Sequence, residues 1–314
     1  MRFICELREG EPISGIYLCK NKQNLKTKAG KSYYSMILQD KTGTVDAKIW
    51  DVGSSGIEEF DKLDYIYVVG DVTSFLGALQ LNVKRVKKMS ETDVNPSDYL
   101  PVSEYNIEEM YQKLLAYIAQ MKHPYLKQLA ESFFADADFA KRFQFHSAAK
   151  SVHHGFVGGL LEHTLHVTQI CDFFSKLYPM LNRDLLLTAA MFHDIGKLTE
   201  LSTFPANDYT DDGQLLGHIM IGAMEVQKHI EQIEGFPKRT ASELIHCILA
   251  HHGELEYGSP KKPALAEAIA LSFADNSDAK LETMREALSN IPENSLEWQG
   301  FNRFLDSNIR RTSK

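Results

Sequence analysis

The chain holds twelve histidines, and their placement says more than their number. His163 lies in GGLLEHT (158–164), within a stretch whose apolar residues recur at helical spacing. His193 and Asp194 adjoin in HDIGK (193–197), at the end of a strongly apolar segment. His218 opens another helical stretch, His251 and His252 close the next, and Asp275 ends LSFAD (271–275). Burying such groups is costly unless they are paired or hold a metal. Their recurrence beside the apolar sides of successive helices therefore predicts convergence on one internal site. Imidazoles with carboxylates suit Zn, Mn, Fe or Co rather than Ca or a thiolate-seeking ion. Neighbouring residues on a helix project about 100° apart, so His193 can face one ion while Asp194 reaches between two. A carboxylate between two ions roughly 3.5–4 Å apart is a feature of phosphoester-cleaving centres.

The elements that must position these groups follow from periodicity. From Ile107 onward Met110, Leu114, Leu115, Ile118 and Met121 recur at helical spacing. The stretches 160–177, 183–197, 218–233, 240–252 and 263–288 repeat it, with Gly253 as a C-cap and Pro263 in a first turn. Residues 105–314 are therefore expected to be all-α, and too long for a simple four-helix bundle. Residues 1–90 read differently. β-rich runs fall at 13–20, 32–40, 45–50, 65–73 and 79–88, and a Thr-Gly turn separates the second from the third. Val45, Ala47 and Ile49 alternate with Asp46, Lys48 and Trp50, which marks a half-buried strand. Short strands packed this densely fit a small barrel. Between the two parts, residues 91–104 are polar, carry two prolines and show no period, so a linker is expected there.

The histidine pattern resembles the HD-domain metal phosphohydrolases, whose motif runs His, His-Asp, further His, then Asp on a helical core. HDIGK is a specific match, and the resemblance covers about residues 150–290. It implies an all-α HD bundle in which His163, His193, Asp194 and Asp275 hold one ion. Asp194, His218 and one or both of His251 and His252 would hold a second. The cofactor expected is two divalent transition-metal ions, Mn2+ first, with Fe2+ or Co2+ as alternatives. Lys197, one turn from Asp194, would stabilise charge on a phosphate oxygen; the alternative is a lysine meeting the helix dipole. His154 resembles a histidine that contacts phosphate or orients a ligand in related members, and it joins Asp194 and Lys197 in the expected catalytic set. Glu162 would orient His163 or stand exposed, and His123, His146 and His229 fit no part of the motif.

The β-rich part resembles the nucleic-acid-binding OB-folds, which hold single strands with stacked aromatics and a basic groove. Alternation turns Tyr33, Lys48 and Trp50 outward. The segment 20–31 holds five lysines and no acid, and reads as a flexible loop that offers Lys26 and Lys28 to phosphates. Together the halves resemble the YhaM-type 3′–5′ exoribonucleases. That resemblance implies manganese-dependent removal of nucleoside 5′-monophosphates from the 3′ end of single-stranded RNA, with single-stranded DNA as the other candidate polymer. It leaves a homo-oligomer open. Rival readings are a small-molecule HD phosphohydrolase acting on a (cyclic) nucleotide, and a nucleic-acid-binding regulator whose HD domain is structural.

Taken whole, the net charge of −8 argues against nucleic acid. It averages two unlike halves. Residues 1–90 carry 14 basic and 11 acidic side chains, the remainder 20 and 31. Divalent ions would reverse the sign locally where phosphate must approach the acidic part. No apolar run approaches the roughly 18 residues of a membrane span, and MRFICELREG is not expected to act as a secretory signal because Glu6 and Arg8 interrupt it. Four cysteines without a CxxC pair suit a reducing cytoplasm.

Overall fold

Alternation in the first third of the chain produces five strands: β1 (Pro12–Lys26), β2 (Ser32–Asp40), β3 (Gly43–Ile49), β4 (Tyr65–Phe75) and β5 (Ala78–Lys88). In the computed structural model, which describes residues 2–150, 154–289 and 291–313, they close into a barrel of order β1-β2-β3-β5-β4. All pairings are antiparallel except a short parallel one between β3 and β5. This is the five-stranded Greek-key barrel of an OB-fold. A bulge between Cys19 and Asn21 marks where β1 passes from pairing with β4 to pairing further along β2. Met36, Leu38, Val45, Ala47 and Ile49 fill the interior with Tyr17, Ile66, Val68 and Leu81.

Two expectations need correction in this unit. The segment 20–31 is not a loop. β1 continues to Lys26, pairing Leu25 with Tyr33 and Lys26 with Ser32, and only Thr27–Lys31 turns. This end of the hairpin is largely exposed, so the backbone ladder holds it without any apolar alternation to read. The expected linker is largely exposed or half-buried, but two of its residues dock it. Tyr99 and Leu100 are buried, Gln39 donates to the Tyr99 carbonyl at 3.0 Å, and the Tyr65 and Tyr99 rings meet edge-on at 5.0 Å. Two apolar anchors in a polar stretch were enough to dock it. The chain accordingly divides into units Met1–Val102 and Ser103–Lys314.

The second unit is helical: α1 (Ile107–Ala119), α2 (Pro124–Phe134), α3 (Ala137–Phe145), α4 (Gly159–Leu177), α5 (Arg183–Phe192), α6 (Lys197–Glu200), α7 (Asp211–Gln232), α8 (Lys238–Leu249) and α9 (Ala266–Ser289). Asn106, Asp136, Asn182 and Thr210 cap α1, α3, α5 and α7 by accepting from the backbone of the first turn. Every residue from Leu185 to Phe192 is buried, so α5 is apolar all round and runs through the core. Phe133, Phe134 and Phe143 pack with Phe192 there. Among the described residues no helix is long and apolar enough to cross a membrane.

Several helix ends differ from the periodicity. α9 starts at Ala266, so Pro263 precedes it instead of standing in its first turn, and α8 is capped at Ala250 rather than by Gly253. α5 stops at Phe192, so His193 to Gly196 form a turn before α6. α8 stops at Leu249, leaving His251 and His252 beyond its last turn. α7 starts at Asp211 but breaks at Gly217, whose φ of 72° lets His218 begin the straight run. Apolar spacing continues through such turns because the turns themselves are buried, so period alone does not locate them.

Candidate metal centre

The first turns of α4, the turns after α5 and α8, the start of the straight run of α7 and the middle of α9 deliver their polar groups to one place. His163 Nε2 lies 3.1 Å from His193 Nε2, 3.3 Å from Asp194 Oδ2 and 3.2 Å from Asp275 Oδ1. His193 Nε2 is 3.4 Å from the same Asp194 oxygen. The other oxygen, Asp194 Oδ1, faces His218 Nε2 at 3.5 Å and His251 Nε2 at 3.7 Å. His218, His251 and His252 bring one nitrogen each within 4.8 Å of one another, and His163, His193 and Asp275 do the same with one donor atom each. Asp194 thus stands between two donor groups, one oxygen toward each.

The ring nitrogens on the far side are all tied. His193 donates from Nδ1 to the Ala190 carbonyl at 2.8 Å, His251 to Ile248 at 2.7 Å and His252 to Tyr257 at 2.7 Å. His218 donates to Glu200 Oε1 at 2.9 Å and His163 to Asp278 Oδ2 at 2.7 Å. A histidine whose Nδ1–H is held this way presents the lone pair of Nε2, the usual arrangement behind a metal ligand. Asp194 Oδ1, His218 Nε2 and His251 Nε2 are buried without a hydrogen-bond partner among the described residues. Orphaned donors aimed at a common point are the atoms a cation would satisfy.

Electrostatics point the same way. Burial works against the charge of Asp194, yet Lys197 and His193 hold it well below the ordinary carboxylate range. Asp275 is likewise lowered against burial, by the His163 ring 3.2 Å away and the nearby His193. His163, despite burial, is raised well above the imidazole range by Asp194, Asp275 and Asp278. The pocket therefore favours positive charge. His251 is pushed the other way, by burial and then by His193 and His252, toward the neutral form that binds metal. A nitrogen and carboxylate donor set on both sides of one aspartate fits divalent transition-metal ions.

All seven expected metal-binding residues meet here, including both His251 and His252. Lys197 Nζ reaches Asp194 Oδ2 at 2.6 Å, and Asp194 with Asp275 keeps the ammonium charged against its burial. His154 is different. It is fully buried and donates from Nε2 to Asp278 Oδ2 at 2.8 Å, behind His163, so a direct phosphate contact does not fit and the orienting alternative does. Glu162 is buried too, accepting from Ser103 Oγ at 2.5 Å rather than bonding His163. His146 binds the Ser147 and Leu201 carbonyls, His123 caps α2, and His229 stacks on Phe133 at 3.8 Å. Sequence reasoning missed Asp278, His166 and Glu200. Asp278 accepts from His154, His163 and, at 3.0 Å, His166. Its signal was available: Asp278 stands three residues after Asp275, and His166 three after His163, on the same helix faces. Glu200 had none, since its partner lies eighteen residues away across a turn.

The turn after α5 depends on close backbone approach. A Cβ on Gly196 would fall 2.0 Å from the His218 carbonyl oxygen and 2.6 Å from the Gly222 nitrogen. Gly196→Ala is expected to force α7 away, costing about 1–3 kcal/mol or more. Urea titration and metal content of the purified variant check this. A fully stable variant with unchanged metal content would show that the contact is slack.

In the first unit, Tyr33 and Trp50 stack at 4.8 Å with planes 26° apart, and Trp50 is 45% exposed. Lys48 donates to Ser35 Oγ at 2.6 Å on the same outward face. Lys26 and Lys28 stand exposed at the β1–β2 hairpin. An aromatic pair with lysines near it can hold a single strand by stacking and phosphate contact.

Residues 160–280 match the HD domain, which defines the helical unit as an HD domain. Over 283 residues the chain is 34% identical to "3′-5′ exoribonuclease YhaM" of Geobacillus sp. (strain WCH70), covering 90% of this chain and 86% of that protein. It is 35% identical to the protein of the same name from Bacillus subtilis (strain 168), covering 90% and 89%. The chain belongs to the YhaM family. A solved structure, the second OB-fold domain of replication protein A from Methanococcus maripaludis, aligns with 29% of this chain and 95% of that one, at 21% identity and a TM-score of 0.24.

Proposed function

We propose that this protein is a metal-dependent 3′–5′ exoribonuclease that shortens single-stranded RNA and releases nucleoside 5′-monophosphates. The observation that carries the reading is Asp194, with one oxygen toward His163 and His193 and the other toward His218 and His251. That arrangement occurs in a chain whose relatives are named for this activity. His163, His193, Asp194 and Asp275 are assigned to one divalent ion, and Asp194, His218, His251 and His252 to a second. Manganese is our first assignment for both on the family resemblance, with Fe2+ or Co2+ as alternatives that the same carboxylate and imidazole donors would accept. Ions there would supply positive charge to the scissile phosphate and make water a better nucleophile near neutral pH.

The chain's own groups do the rest. Lys197, buried and charged, lies beside Asp194 where a phosphate oxygen gains charge during attack. Water adds to phosphorus, the bond to the 3′-oxygen of the penultimate nucleotide breaks, and that oxygen leaves with a proton. A cleft of about 660 Å³, lined by His163, Asp194, Lys197 and His252, gives the 3′ end its entry. The barrel holds the upstream strand through Tyr33 and Trp50, with Lys26, Lys28 and Lys48 near phosphates. The four cysteines are free, and three of them are buried, which suits the reducing cytoplasm where we place the protein.

A manganese-supplemented time course on matched 5′-labelled RNA and DNA tests the proposal. A ladder shortening from the 3′ end of RNA is expected. Intact RNA beside hydrolysed mononucleotides or cyclic dinucleotides would replace the reading with a small-molecule phosphohydrolase. Joint replacement of Tyr33 and Trp50 by alanine should raise KM for a long RNA by about ten-fold, the size of lost stacking. Turnover of a dinucleotide, which has no upstream strand for the barrel to hold, should not change. Steady-state kinetics on the two substrates separate these, and equal losses on both would remove the tethering role.

A further inference from the structure

α9 has two faces that do different things. Ala268, Leu271 and Ala274 are fully buried in the helical core. Ile269, Ser272, Phe273 and Asn276 follow one another at helical spacing along another stripe, and all line the cleft that contains His163, Asp194 and Lys197. Phe273 is 64% exposed, so its ring contributes little to the core. Tyr257, from the turn after α8, lines the same cleft and is 71% exposed. Its carbonyl accepts from His252 Nδ1 at 2.7 Å, which ties the position of this aromatic to a candidate metal ligand. Two rings left in water beside the metal centre, with the Ser272 and Asn276 side chains among them, make a surface for a flat ligand with polar edges.

We infer that Tyr257 and Phe273 form a nucleobase subsite, on which the base of the 3′-terminal nucleotide stacks while its phosphate meets the metal centre. The inference rests on the exoribonuclease reading and adds to it a residue-level account of how the end is held. The occupant follows from continuity: the rings line the same cleft as the donors, and a cleft of about 660 Å³ falls within the usual range for ligand sites, about 300–1,000 Å³. Stacking accepts any base, because each has a π-face. The subsite therefore recognises the presence of a base rather than its identity. The stacked terminal base sets the depth to which the strand enters, and so which phosphodiester meets the ions.

The test compares RNA ending in an ordinary nucleotide with the same RNA ending in an abasic ribose. Wild-type kcat/KM should fall by about ten-fold or more on the abasic end. The Tyr257→Ala, Phe273→Ala double variant should be slowed by a similar factor on the ordinary end and become indifferent to the missing base. Phe273→Trp should restore the discrimination. Calorimetry on the manganese-loaded protein supplies a reading independent of turnover. Wild type should bind a nucleoside 5′-monophosphate about ten-fold tighter than ribose 5-phosphate, and the double variant should bind them alike. Both substitutions lie on exposed side chains and leave the Tyr257 carbonyl in place, so folding and the His252 contact are kept. Shortening by wild type that ignores the base overturns the subsite alone. RNA left intact by wild type overturns the exoribonuclease reading and the subsite together.

Discussion

Asp194→Ala is expected to lower RNA shortening by about 10³-fold or more, because ion-based charge stabilisation supplies several kcal/mol. Among the described residues no other faces both donor groups through separate oxygens. Its loss would remove the proposed shared ligand of both ions and leave the Lys197 ammonium buried with its nearest partner gone. Metal analysis of the variant should show loss from both sites rather than one. RNA binding by the barrel should survive, since Tyr33, Lys48 and Trp50 belong to the other unit. Asp194→Asn keeps the shape and one oxygen but not the charge, and should fall between wild type and alanine in metal content. A variant that keeps two equivalents of metal and the wild-type rate would refute the shared-ligand assignment.

Asp278→Ala should weaken metal binding by about 10–100-fold, the usual penalty for removing a group that orients a ligand. Asp278 accepts from His154, His163 and His166, and so fixes the ring of His163 without reaching the opposing nitrogen itself. Its carboxyl is held far below the ordinary range against burial by those three imidazoles. Removing it strands buried N–H groups, at about 1–3 kcal/mol for each that finds no partner. Asp278→Asn retains one acceptor oxygen and should recover part of the affinity. Competition against a chelator measures affinity directly, and activity at saturating manganese should return toward wild type. Unchanged affinity with lost stability would reduce Asp278 to a packing role.

The two donor groups differ in how readable they were. His163, His193, Asp194 and Asp275 stand in or beside apolar helical stretches, where an ionisable group is conspicuous. His251 and His252 were visible as candidates, but the choice between them was not, because it depends on a turn beyond α8 that brings both inward. His154 was conspicuous too, but the choice between a phosphate contact and an orienting role was open until its burial against Asp278 favoured the second. Glu200 could not be found, because its bond to His218 exists only after Gly196 and Gly222 let α6 and α7 close together.

What the sequence determined by itself is the inventory. Period-two alternation and its turn specify a barrel, helical periodicity specifies a bundle, and HDIGK with its partner histidines specifies the chemistry. These are local properties, written in the order of residues along one element. The tertiary structure alone decided which atoms meet. It gave the two oxygens of Asp194 to different imidazole groups and placed Asp278 behind His163. It continued β1 through a lysine-rich stretch and docked Tyr99 and Leu100 where a linker was expected. Each of these depends on contacts between residues far apart in the chain, and backbone pairing and close helix approach leave no period in the sequence to read.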